Sequence, residues 1–107
     1  MKPIHTEEHA GFTIEYYPDL DARDPREEFD AWGEDDVRAW EEGEVFGFII
    51  RGEGNDHVDS CWGFYGWKHC QADARGQAEW FRADLGRKRT AAIRGAFAVG
   101  SGAVGVL

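Results

Sequence analysis

The sequence predicts a small α+β domain: a three-stranded antiparallel sheet with one main helix packed on a face and short acidic helices at the edge. Three observations carry that prediction. Phe12, Ile14 and Tyr16 alternate with Thr13, Glu15 and Tyr17, the period of a strand with one buried face. Two runs rich in Val, Ile and aromatic residues, 44–51 and 57–65, flank Gly52-Glu53-Gly54-Asn55-Asp56, and turn chemistry of that density makes them a β-hairpin. From Gln71 to Leu85, Ala74, Ala78, Phe81 and Leu85 recur at helical spacing while Arg75, Glu79, Arg82 and Asp84 fall elsewhere, as on a helix laid against a core. At 107 residues and 42% hydrophobic, with five Trp, seven Phe and three Tyr, the chain has material for one domain and one core.

Taken in order, the residues before Phe12 are expected to fray. The first strand is expected at 12–17, before Pro18, and 18–25 reads as turn and loop. Asp24-Pro25 is a helix start, with Asp as N-cap and Pro at the first helical position, and Phe29 and Trp32 form a one-sided apolar pair before Gly33. A second short helix is expected from Glu34 to Glu42, where Asp35 and Asp36 suit the positive end of the helix dipole and Val37 and Trp40 point inward. Gly43 ends it. In the hairpin, Phe46, Phe48 and Ile50 share one face, and Val58, Ser60, Trp62 and Phe64 share one face of the partner strand. After Gly86, Arg87-Lys88-Arg89 precede an apolar, Gly-rich run with Arg94 inside it. That run is short and weakly hydrophobic for a membrane span, so 12–85 is expected to be the core of a single domain and 86–107 a flexible or docked tail.

Charge is the most uneven property of the chain. Between Asp19 and Glu44, twelve Asp and Glu face only Arg23, Arg26 and Arg38, a balance of −9 that equals the net charge of the whole protein. A neutral domain therefore carries one acidic element. Such a balance argues against direct binding of nucleic acid or anionic lipid, which needs a basic footprint, and favours a basic partner. Along a helix rising about 1.5 Å per residue, an acid at every second or third position approaches the density of phosphates spaced about 3.4 Å along a DNA strand. Asp30, Glu34, Asp35, Asp36, Glu41 and Glu42 are the expected contacts, with Trp32, Val37 and Trp40 anchoring the segment.

No catalytic, metal or cofactor motif stands out. His57, Cys61, His69 and Cys70 include zinc-ligand types but lack a paired C-x2-C, so the cysteines read as small buried or half-buried thiols. His5 and His9 lie one helical turn apart and read as surface histidines. Cys61 with His57 and Asp59 is the only local arrangement for nucleophilic catalysis, and no P-loop or dinucleotide fingerprint occurs. Trp62, Phe64, Tyr65 and Trp67 could stack on bases, but without a basic groove they read as packing between sheet and helix. The expectation is a protein that is not an enzyme and uses no cofactor, as a monomer or homodimer. No charged segment followed by an apolar run opens the sequence, so no secretory signal is expected and a cytoplasmic location is.

Asp24-Pro25-Arg26-Glu27-Glu28-Phe29-Asp30, and Val45-Phe46-Gly47-Phe48-Ile49 followed by Val58-Asp59-Ser60-Cys61-Trp62-Gly63-Phe64-Tyr65-Gly66, resemble segments of a family of small bacteriophage and mobile-element proteins of unassigned function. The resemblance covers residues 12 to 85 and brings no catalytic residues with it. It implies a phage protein acting in the host cytoplasm. Small acidic proteins of that origin are often inhibitors of host defence, including anti-CRISPR proteins that mimic nucleic acid and dock on a basic nucleic-acid-binding host effector. The alternative is a structural or assembly protein of a phage or plasmid, with the Gly-rich tail as its contact.

Overall fold

Four strands, one more than expected, form the sheet. The computed structural model describes residues 2–100, with side chains through Lys88. The elements are β1 (His5–His9), β2 (Phe12–Pro18), α1 (Pro25–Glu28), α2 (Glu34–Glu41), β3 (Val45–Arg51), β4 (His57–Tyr65) and α3 (Trp67–Gly100). The strands lie in chain order as an antiparallel meander, with α3 packed on one face.

The expected fraying at the N-terminus is corrected by β1. His5-Thr6-Glu7-Glu8-His9 has no apolar residue, so periodicity cannot reveal it; its strand conformation comes from pairing, in register from His5 with Tyr16 to His9 with Phe12. The hairpin turn places both Ala10 (φ 52°) and Gly11 (φ 82°) in the left-handed region, the requirement of a tight two-residue turn. Ala pays a steric penalty there that Gly does not. Arg82 steadies the turn from α3, donating from Nε to the Ala10 carbonyl at 2.8 Å while its guanidinium lies 5.5 Å from the centre of the Phe12 ring.

Polar contacts strap β1 to the helix as well. Glu7 accepts from Gln71 Nε2 and Arg75 Nε, each at 2.7 Å, and His9 Nε2 lies 2.6 Å from Glu79. Burial alone would raise the Glu7 pKa, but the hydrogen bonds from Arg75 and Gln71 outweigh it and the net direction is down. On the opposite face of the sheet, Arg51 Nε donates to Glu15 at 2.7 Å and lowers its pKa too. Both carboxylates are thus favoured in the folded state, so their contribution is present above the unfolded value of 4.5 and is lost as pH falls through the lower folded values. Urea midpoints should drop below pH 4.5, and the Glu7→Gln, Glu15→Gln double variant should flatten that part of the profile.

The core has the expected helix-facing residues Phe12, Ile14, Tyr16, Phe48 and Ile50, and on α3 it takes Cys70, Ala74 and Ala78, each fully buried. These small residues at four-residue spacing let the helix axis approach the sheet. Trp67 closes the end of the core, its ring 4.7 Å from Tyr16 and 5.4 Å from Phe46. Helix α3 therefore begins four residues before the expected start, and it runs on to Gly100. Arg87-Lys88-Arg89 and the first part of the expected tail are helical; residues 101–107 lie outside the described residues. Arg82 makes the last hydrogen bond from helix to sheet among the described side chains. Leu85, expected in the apolar row, is 43% exposed because the row has passed the core by then.

Two face assignments in the hairpin are also corrected, those of Trp62 and of Ser60, which pairs with Ile49 on the side away from the core. Phe46 pairs with Phe64 and Phe48 with Cys61, so Trp62 and Gly63 together oppose Gly47. This β-bulge turns Trp62 to the other side of the sheet, while Val58 and Phe64 pack on the core. Trp62 lies over Gly47 with its ring 5.9 Å from Tyr17.

Candidate functional site

The acidic element is the connection from β2 to β3, and several contacts hold it to the sheet. Asp24 caps α1 by accepting from the Arg26 amide at 3.0 Å, and Pro25 takes the first helical position as expected. Tyr65 Oη donates to the Arg23 carbonyl at 2.6 Å, and the Trp40 indole donates to the Ala22 carbonyl at 3.3 Å. The Asp19 amide bonds the Val45 carbonyl and the Glu44 amide the Ala39 carbonyl. Trp40 and Val37 are half-buried and Ala39 is buried, so α2 is seated on its apolar side. Trp32 does not anchor the segment: it falls between the two helices and is 46% exposed.

Glu34, Asp35, Glu41 and Glu42 are exposed and share the outward face of α2, and Asp30 is exposed between the helices. Asp36 is half-buried and turned inward, accepting from the Gly33 amide at 3.0 Å as one arm of a capping box. Arg38 stands within the acidic face, 3.3 Å from Asp35. Asp35 and Glu42 also line a shallow groove with Lys68 and His69, which sets α2 beside the first turn of α3. Negative charge there complements the positive end of the helix dipole.

Sequence reasoning missed a second feature beside these carboxylates. A groove of about 310 Å³ runs between the connection and β4, lined by Asp19, Asp21, Glu28, Phe29, Trp62 and Tyr65 among others. Phe29 meets Tyr65 edge to face at 6.0 Å. The Tyr65 pKa is raised by burial first and then by the charges of Glu28, Asp19, Asp24 and Asp36, so the carboxylates bear on this site. The one signal in the sequence was Gly47, whose missing side chain leaves room for the Trp62 ring.

The residues considered for metal or thiol chemistry are scattered in role. Cys61 is exposed, whereas Cys70 is fully buried and its thiol is pushed up to about 12 by burial, with Asp73 and Cys61 adding to it. The His69 ring packs 5.5 Å from Phe64, and His5 stacks near Tyr16 and Trp67. Among the described residues no group of three or more His, Cys, Asp or Glu is placed to hold a metal ion, and no helix is long and apolar enough to cross a membrane. No protein-family model matches this chain, and neither a curated protein nor a solved structure shows significant similarity to it.

Proposed function

We propose that this chain is a non-enzymatic, phage-encoded inhibitor of a host defence effector, anti-CRISPR-like, which acts in the host cytoplasm by docking its acidic surface on a basic nucleic-acid-binding site. One observation carries the reading: the charge excess is confined to a single ordered connection, and four of its carboxylates, on Glu34, Asp35, Glu41 and Glu42, stand together in solvent. Solubility alone requires no such concentration. Arg38 interrupts the surface, so the mimicry is of a short phosphate patch and not of a continuous strand.

The test is a pull-down of tagged protein from nuclease-treated bacterial lysate, eluted in a salt gradient with the partners identified, followed by kinetics on the partner recovered. A nucleic-acid-guided or nucleic-acid-cutting effector released by salt is the expected partner. Reversing Glu34, Asp35, Glu41 and Glu42 to Lys, which leaves the Asp36 cap in place, should slow association on the order of 10- to 100-fold at low salt. Affinity indifferent to both salt and reversal would overturn the reading. The second reading, an assembly protein of a phage or plasmid, gains from the continuation of α3 past the sheet. It predicts recovery of the protein itself or of virion proteins, and oligomers lost on truncation after Arg89.

A further inference from the structure

We infer that the groove between the acidic connection and β4 seats an arginine side chain from a basic loop of the protein partner, its guanidinium stacked on Trp62 and paired with Asp19, Asp21 and Glu28. The inference rests on the acidic-surface reading above and names the contact that would anchor it. Trp62 is the central observation. The bulge throws its ring onto Gly47, where a Cβ would collide with Cε3 and Cδ2. One side of the indole is thus pressed to the backbone of β3, and the residue still leaves 45% of its surface in water. An indole held flat and open on one side is costly to expose unless something covers it.

The surroundings choose the cover. A purely apolar partner would strip water from the carboxylates of Asp19, Asp21 and Glu28, of which Asp19 has one bond from the Asp21 amide and Glu28 only a 4.0 Å approach of Arg23 to replace it, and that is unfavourable. A cation satisfies both halves of the site, attracted to the ring face and to the acids. Arginine fits better than lysine: its guanidinium is planar, less strongly hydrated than an ammonium, and can stack while its edge donates to carboxylates. Phe29, 48% exposed, and Tyr65 also line the groove; their rings meet edge to face and Tyr65 is held to the Arg23 carbonyl, so the groove is preformed. The chain's own Arg23 lines it but is loosely placed, 77% exposed and 4.0 Å from Glu28; an incoming arginine would displace it.

The experiment measures binding of fluorescently labelled nona-arginine and nona-lysine peptides by anisotropy, at low and at physiological salt. The native protein should bind the arginine peptide about fivefold to tenfold more tightly than the lysine peptide. Trp62→Ala should erase that preference while leaving the weaker, salt-sensitive binding of both peptides. Asp21→Asn with Glu28→Gln, which leaves the sheet untouched, should lower arginine affinity without altering the melting temperature, and Arg23→Ala should raise it. If Trp62→Ala, confirmed as folded by circular dichroism, keeps the arginine preference, the groove assignment is wrong and the acidic-surface reading stands. If neither peptide binds in a salt-dependent way, both fall together.

Discussion

Phe48→Ala is expected to remove about 3–5 kcal/mol of stability, the range for emptying an aromatic site in a core. Phe48 is fully buried at the middle of β3, paired with Tyr16 on one side and Cys61 on the other, with Phe64 stacked 5.5 Å away. Those neighbours are fixed by strand pairing and by α3 above them, so the void cannot collapse. A domain of this size has a total stability of roughly 5–15 kcal/mol, and the variant would sit close to its unfolding threshold. Urea denaturation should show a much lower midpoint with an unchanged slope. Leu85→Ala, on an exposed stretch of the same helix that supplies the core's roof, should change stability by no more than about 0.5 kcal/mol. Equal losses for the two would contradict the placement of the core described above.

Gly47→Ala is the second large expectation, because a single added methyl group meets a whole indole. In most strands this change is mildly favourable, since Ala restricts the unfolded chain. Here the new Cβ would enter the space of the Trp62 ring, and either the ring leaves the sheet or the strands part. The expected cost is about 1–3 kcal/mol, accompanied by freer access of a fluorescence quencher to Trp62. The Gly47→Ala, Trp62→Ala double variant should recover most of the loss relative to Trp62→Ala alone, since the methyl then has room. A simple sum of the two single effects would show that Gly47 and Trp62 do not share the space.

The parts of this fold that were legible in the sequence are those where one side chain pattern has one outcome. Phe12, Ile14 and Tyr16 could only alternate, Gly52 to Asp56 could only turn, and Asp24-Pro25 fixed a helix start. The hidden parts depend on contacts between distant residues. β1 is a strand because β2 offers it an edge and because Arg75, Gln71 and Arg82 reach it from α3; nothing in His-Thr-Glu-Glu-His announces that. The turn at Ala10-Gly11 lacks the Asn-Gly or Asp-Gly signature for the same reason, being steadied from outside. The bulge at Trp62 is invisible to a period-two reading, and with it went the face of Trp62 and the groove beside the acids. Gly86 and the glycines at 95 and 100 suggested an end to the helix near Leu85, yet their cost of about 1 kcal/mol each does not interrupt it. For the charged residues, the outward set on α2 could be read from spacing, whereas the inward turn of Asp36 required seeing the cap.

Helix α3 gives the molecule two unlike ends. Its first turn lies beside the carboxylates of α2, and Arg87 and Lys88 lie about 30 Å further along the same rod. Charges separated so far, offset in part by Asp84 beside Arg87 and Lys88, still give this elongated particle of 63 × 31 × 18 Å an electric dipole along the helix. Near a cationic surface the protein would swing like a compass needle and arrive with its acidic end leading. Orientation would then be settled during approach, before any side chain touches.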